Sequence, residues 1–338
     1  MIIGNAEFFN IAEIGEGGRL LRFPQAVTDG LGMPVYDESG RETEEIFRGH
    51  RNYAYRLTNC EIRFVSDADK IAVRLRTEQP VEVSVYQGDY FNGSAIAAPG
   101  ESELAFSRYA QADGLNESQR NRFAHNVWRV VLNGDGATYL LGIEGGKMRP
   151  PAREELPRMR ILAYGSSITQ GVGTPYPRLN YLSVAEQILG VEFLNKGIGS
   201  GCFCEPAMLD YFLSETYDAL YFELGTNIAN RPPAAIEGRL GPFIDAVCAH
   251  FRDKKLFFMM PIKGFSDVSP AAADYAERFA NSRLVIRSHA EKFENAVLLD
   301  GHALVGRDWY LKADVLHPSD FGHVMMGVTF AEMLKKHL

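Results

Sequence analysis

Past residue 155 the chain alternates short apolar runs with helical patterns, and this alternation narrows the fold more than any other feature. RMRILAYGSS (158–167), VEFLNKGIG (191–199), YDALYFELGTN (217–227), LFFMMPI (256–262) and AVLLDG (296–301) read as buried strands. Between and after them, YLSVAEQILG (181–190), LGPFIDAVCAHFRDKK (240–255), AADYAERFANSRLVIRSHAEKF (272–293) and FGHVMMGVTFAEMLKKHL (321–338) read as helices. Strands that alternate with helices give a parallel sheet with helices on both faces. Ligands of such sheets bind beyond the carboxyl ends of the strands.

The first half follows a different rule. Between about 55 and 145 the apolar residues recur with a period near two: Ile62 and Phe64; Ile71, Val73 and Leu75; Val81, Val83 and Val85; Trp128, Val130 and Leu132. Turn sequences such as SDAD, EQP, FNGS and NGDG bound these runs. Side chains spaced by two share one face of a strand, so the pattern predicts successive half-buried strands in an antiparallel β-sandwich, jelly-roll-like in character. The segment PPAREELPR (150–158) carries three prolines and reads as the linker. The expected division is therefore 1–155 for the sandwich and 156–338 for the α/β domain. A length of 338 residues fits two domains at roughly 150 residues each.

Composition removes several classes of function. The net charge is −8 and no basic run of five or more residues occurs, which argues against nucleic acid or an anionic membrane as a partner. No apolar run reaches the ~18 residues of a spanning helix. The N-terminal MIIGNAEFFNIAEIGEGGRL lacks the basic start of a secretory signal. Cys60, Cys202, Cys204 and Cys248 have no metal-site spacing and read as free thiols, so a cytoplasmic location is expected. Neither a metal nor an organic cofactor is called for. A homo-oligomer is compatible with the sequence.

The residues that follow each strand carry the chemistry. Gly165-Ser166-Ser167 follows the first strand, Asn195-Lys196-Gly197-Ile198-Gly199-Ser200-Gly201 the second and Gly225-Thr226-Asn227 the third. Asp314-Val315-Leu316-His317-Pro318 precedes the last helix. One rim of the sheet thus collects a serine, exposed backbone N–H groups, an amide and an Asp/His pair, the parts required for acyl transfer. Pro318 disfavours the α conformation at His317, so one turn can aim Asp314 and His317 the same way.

The segments GSSITQG, NKGIGSG, ELGTN and DVLHPSDFGH, in that order, resemble the four blocks of the SGNH, or GDSL-like, hydrolase superfamily. The layout of a sandwich followed by such a domain is similar to bacterial carbohydrate acetyl esterases. The resemblance implies Ser167 as nucleophile, His317 as base and Asp314 as the carboxylate that orients it. It further implies an oxyanion hole from the N–H of Ser167, a second-block N–H on Ser200 or Gly201, and the Asn227 amide. Three positions depart from the family: Ser166 stands at the aspartate of G-D-S, Ile228 at the aspartate of G-x-N-D, and Ser200 where glycine is common.

The expected activity is hydrolysis of short-chain acyl esters, acetyl in the first place, on a small-molecule or oligosaccharide substrate through an acyl-enzyme. An acyltransferase with the same triad, and a carbohydrate-binding protein on an inactive hydrolase scaffold, are the alternatives. His323 is assigned to the last helix, and His50, His125, His250, His289, His302 and His337 to structural roles. Cys202 and Cys204 are read as buried small residues, with a redox or metal role as the alternative. Tyr86, Tyr90, Phe91 and Trp128 are read as core or interface residues before sugar-stacking ones. Glu205, Pro206 and Tyr181 are open as pocket residues.

Overall fold

A computed structural model of the chain describes residues 1–37, 39–116, 118, 120–269 and 273–338. Contacts divide it into two compact units. One comprises Met1–Gln25, Tyr55–Met159 and Gly190–Leu194; the other comprises Ala26–Ala54, Arg160–Leu189 and Asn195–Leu338. The expected cut at 155 lies close to the Met159/Arg160 division, but residues 26–54 group with the second unit. The reason is local. Met33–Tyr36 and Glu42–Phe47 pair as a separate antiparallel hairpin, and the largely polar ETEEIF strand has nothing to add to a sandwich core. Beyond the hairpin, His50 is fully buried and bonded to Glu205 at 2.8 Å.

The main strands of the first unit are β1 (Ala6–Phe9), β2 (Leu57–Ser66), β3 (Lys70–Thr77), β4 (Val81–Gln87), β5 (Tyr90–Ala97), β6 (Gly100–Ser107), β7 (Val127–Gly134) and β8 (Thr138–Glu144). One antiparallel sheet runs β1-β2-β7-β4-β5, with Ile2–Ile3 beyond β1 and Met148–Arg149 also paired to β2. The other runs β6-β3-β8, also antiparallel. Between them lie Ile62, Phe64, Ile71, Val73, Leu75, Val81, Val83, Val85, Trp128, Val130 and Leu132, the residues of the period-two pattern, all buried in one cluster. Each such side chain contributes about 1.5–3 kcal/mol on burial.

The half-buried expectation fails on one sheet, because β2, β4 and β7 are covered on both faces. Their second face is ionic. Arg63 donates to Glu61 at 2.8 Å and to Glu192 at 2.7 Å, Arg129 donates to both oxygens of Glu61, and Glu7 lies 3.4 Å from Arg63. Phe9 and Phe123 stack on the Arg63 guanidinium. Burial alone raises the Glu61 carboxyl, but Arg129 and Arg63 outweigh it and hold it well below the carboxylate range. Of the four aromatics weighed for sugar contact, Trp128 and Tyr86 are buried, whereas Tyr90 and Phe91 are exposed.

The five-stranded sheet comprises β9 (Arg160–Tyr164), β10 (Glu192–Asn195), β11 (Ala219–Glu223), β12 (Lys255–Met259) and β13 (Ala296–Leu299), in the order β10-β9-β11-β12-β13; residues 192–194 of β10 group with the first unit, and the other four strands belong to the second. The pairs β9–β11, β11–β12 and β12–β13 are parallel. The helices are α1 (Ser167–Gln170), α2 (Tyr181–Leu189), α3 (Pro206–Leu213), α4 (Pro233–His250), α5 (Ala273–Ala290) and α6 (Asp320–Lys335), with one-turn helices at Phe265–Val268 and Gly301–Leu304. Helix α2 packs on α6, and α4 on α5. Helix α4 starts seven residues before the expected Leu240, because Pro233 sits at its first turn where no N–H is needed, and Pro242 is tolerated within it. Residue 272, where the third helical pattern begins, lies outside the described residues. Among the described residues no helix is long and apolar enough to cross a membrane.

Candidate active site

Strand β9 ends at Tyr164, and the chain turns through Gly165 and Ser166 into α1, whose first residue is Ser167. The Ser166 hydroxyl caps this helix by accepting from the Ile168 N–H at 3.2 Å. Gly165 is required by close approach: a Cβ there would stand 2.3 Å from Thr169 Oγ1 and 2.9 Å from Glu223 Cβ. A first-turn N–H has no intrahelical acceptor. That of Ser167 has no partner among the described residues.

Ser167 Oγ lies 2.8 Å from His317 Nε2, and His317 Nδ1 lies 2.9 Å from Asp314 Oδ2. The other Asp314 oxygen accepts from the backbone N–H groups of Leu316 and His317, each at 3.0 Å. Partial burial pushes the Asp314 carboxyl up, but the His317 N–H, the His317 ring and the Leu316 N–H together hold it below its ordinary range. The carboxylate therefore fixes Nδ1 as the protonated nitrogen and leaves Nε2 to accept from Ser167. The loop is closed at its base: Leu311 bridges Pro318, Lys312 N–H donates to the His317 carbonyl at 2.8 Å, and Ser319 N–H donates to Tyr310 at 2.8 Å. Its turn includes Val315 at φ 50, a left-handed conformation that is costly for a β-branched residue.

The second and third loops supply donors. Asn227 Oδ1 accepts from the Cys202 N–H at 3.0 Å, which leaves its Nδ2 to donate elsewhere. Of the two second-block candidates, Gly201 is engaged, since its N–H donates to the Ile198 carbonyl at 3.1 Å. Ser200 is exposed at φ 55, and no acceptor for its N–H occurs among the described residues. Of the two candidates for the second-block donor, Ser200 is therefore the one whose N–H is not engaged within the loop. Asn227 also lines a cavity of about 400 Å³, together with Ile262, Phe265, Asp314, Val315 and Leu316 among others.

Sequence reasoning missed Glu223, the last residue of β11. It is buried and accepts from Ser166 N–H (2.8 Å), Ser166 Oγ (2.5 Å) and Thr169 Oγ1 (3.1 Å) on one oxygen and from Thr226 Oγ1 (3.0 Å) on the other. Burial raises its carboxyl above the ordinary range despite these bonds. The one signal was the polar residue closing the apolar run ALYFE.

His323 lies within α6, bonded to the Val172 carbonyl at 3.1 Å, and burial lowers it to about 4. His289 bridges Asp245 and Glu237, and His302 contacts Asp267. Tyr181 and Glu205 are fully buried, bonded to Thr169 and His50, so neither lines the cavity. Cys202 and Cys204 are buried free thiols, and burial pushes Cys202 up. Among the described residues no group of three or more His, Cys, Asp or Glu could hold a metal ion.

Residues 163–325 match the GDSL-like lipase/acylhydrolase family. No curated protein matches the sequence. Among solved structures, a salicylyl-acyltransferase from a tetracycline biosynthetic pathway is similar over 99% of this chain and 96% of its own, at 15% identity and a TM-score of 0.73. A family 2 carbohydrate esterase with a carbohydrate-binding domain, from Corynascus thermopiles (Myceliophthora fergusii), is similar over 90% and 98%, at 16% identity and a TM-score of 0.58. An acetyl xylan esterase from the rumen bacterium Butyrivibrio proteoclasticus is similar over 98% of each chain, at 12% identity and a TM-score of 0.51. At these identities the likeness shows the fold: an antiparallel sandwich together with a parallel-sheet α/β domain. Residues 163–325, the segment that carries Ser167, Asn227, Asp314 and His317, match the GDSL-like lipase/acylhydrolase family, in keeping with the SGNH-type resemblance of the four segments.

Proposed function

We propose that the protein is a serine esterase that hydrolyses short-chain acyl esters, acetyl esters of carbohydrates foremost, through an acyl-enzyme. The observation that carries this reading is the hydrogen-bonded series from Ser167 Oγ through His317 to Asp314, at 2.8 and 2.9 Å. In the proposed reaction Ser167 Oγ attacks the ester carbonyl carbon while His317 Nε2 takes its proton. The carbonyl oxygen becomes an oxyanion and accepts from the N–H groups of Ser167 and Ser200 and from Asn227 Nδ2. His317 then protonates the departing alcohol, and the acyl group remains on Ser167. Water attacks next, with His317 again as base, and the carboxylic acid leaves.

The carbohydrate esterases among the structural neighbours support the sugar ester as substrate. A second reading has its own support: the acyltransferase neighbour, with its TM-score of 0.73, favours transfer of the acyl group to an acceptor alcohol instead of water. The inactive-scaffold alternative predicts a missing or misplaced triad member; the hydrogen-bonded series Ser167–His317–Asp314 supports the active enzyme against it.

The test is hydrolysis of p-nitrophenyl acetate, p-nitrophenyl butyrate and acetylated xylosides by the wild type and by Ser167→Ala. Hydrolysis that prefers acetate and disappears in the variant supports the esterase. A folded wild type inert on all three argues against it. A new ester formed with an added acceptor alcohol, at the expense of free acid, selects the transferase.

A further inference from the structure

The family motif places an aspartate beside the nucleophile and another after the block-three asparagine, and this chain has Ser166 and the fully buried Ile228 at those positions. A different residue supplies a carboxylate to this region. Glu223 Oε2 accepts from the Ser166 N–H, the Ser166 hydroxyl and Thr169 Oγ1, all in the turn that presents Ser167. Glu223 Oε1 accepts from Thr226 Oγ1, one residue before Asn227. The same residue reaches the third loop through its backbone: Cys202 Sγ donates to the Glu223 carbonyl at 3.5 Å, while the Cys202 N–H holds Asn227 Oδ1 at 3.0 Å.

We propose that Glu223 is a positioning residue that holds the nucleophile turn in register with the loop carrying Asn227. One side chain, with one oxygen on each loop, fixes the distance between the attacking Oγ and the amide that receives the oxyanion. Being only 1% exposed, it acts through Ser166 and Thr226 and not on the substrate. The inference rests on the esterase reading for its catalytic meaning.

The test compares wild type, Glu223→Ala, Glu223→Gln and Thr226→Val in three measurements: kcat and KM on p-nitrophenyl acetate, the rate of Ser167 labelling by a fluorophosphonate read by mass spectrometry, and thermal melting. Glu223→Ala is expected to lower kcat and the labelling rate about 100-fold with KM nearly unchanged, the effect of a misplacement of order 1 Å. Glu223→Gln keeps an acceptor for Ser166 and an amide group for Thr226, so it should recover most of that loss. A merely structural residue would move the melting temperature without this division between kcat and KM. Wild-type kcat in a folded Glu223→Ala, a loss confined to KM, or Glu223→Gln no better than alanine overturns the proposal. If Glu223→Ala does not fold, Thr226→Val decides, since it cuts one tie at nearly constant volume. A loss in kcat of about ten-fold, part of what a whole oxyanion donor is worth, supports the register; wild-type kcat overturns it. A wild type that is labelled but hydrolyses nothing refutes the esterase reading, and the labelling rates still decide the role of Glu223. A wild type that is not labelled at Ser167 overturns both.

Discussion

Asn227 is asked to do two things, and they can be separated. Its Oδ1 accepts from the Cys202 N–H at 3.0 Å, and its Nδ2 remains for the oxyanion. Asn227→Ala removes both. Loss of one oxyanion donor costs about 2.7–4 kcal/mol of transition-state stabilisation, or about 10²–10³ in kcat. The Cys202 N–H, in a fully buried residue, is left without its acceptor, which costs a further ~1–3 kcal/mol of folding stability. Asn227→Asp is nearly isosteric. It keeps an oxygen for Cys202, so the melting temperature should stay near wild type. It replaces the donor by a second oxygen facing the developing negative charge, so kcat should fall at least as far as in the alanine variant. The assay is kcat and KM on p-nitrophenyl acetate beside thermal melts of all three proteins. Asn227→Asp with wild-type kcat would falsify the oxyanion assignment, whatever the alanine variant does.

Other perturbations probe separate parts of the account. Asp314→Asn has one acceptor oxygen in place of two, so it cannot serve both the His317 ring and the backbone N–H groups of Leu316 and His317, and it removes the charge that stabilises the imidazolium. A loss in kcat of about 10⁴ is expected, and an intact rate in the variant would exclude the triad. In the sandwich, Arg63→Met leaves Glu61 and Glu192 buried without that guanidinium; breaking such a cluster costs about 3–5 kcal/mol, to be read by denaturant unfolding. The Glu61 carboxyl is depressed in the folded protein, so its contribution is complete above the ordinary carboxylate range and drains away as pH falls below it. A wild-type unfolding midpoint flat from neutral pH down through that range would contradict this. His289 behaves oppositely. Burial lowers it, but hydrogen bonds to Glu237 and Asp245 prevail and raise it, so its contribution is complete below the ordinary histidine value and is lost as pH rises past that value. The melting-temperature gap between wild type and His289→Gln should therefore shrink on going from pH 5.5 to pH 8.5; a constant gap refutes the tie.

The parts of this molecule that follow from local pattern could be read without coordinates. Val81, Val83 and Val85 alternate with polar residues because one face of β4 meets the other sheet, and the parallel pairing of β9, β11, β12 and β13 follows from the strand–helix alternation. Ser167, Asn227, Asp314 and His317 were legible because each sits where a strand or loop reaches the rim, inside a short recognisable string. What sequence could not reveal depends on which distant groups meet. Glu61, Arg63 and Arg129 look like the wet face of a sheet, and only the arrival of Glu7, Glu192 and Phe123 makes that face dry. Glu223 looks like the polar end of a strand until parallel pairing of β9 and β11 sets it under Ser166. The grouping of residues 26–54 with the second unit has no local signal, since the largely polar ETEEIF strand does not say which core it joins. That the Gly201 N–H is engaged by the Ile198 carbonyl is a turn detail that spacing cannot encode.

The central claim is that Ser167 becomes covalently acylated. The direct measurement is mass spectrometry of the peptide containing Ser167 after rapid acid quenching of the enzyme with p-nitrophenyl acetate. The account predicts an acetyl increment on that peptide in the wild type, formed at least as fast as turnover and absent in Ser167→Ala. Turnover that proceeds with Ser167 unmodified, or that survives in Ser167→Ala, would contradict it.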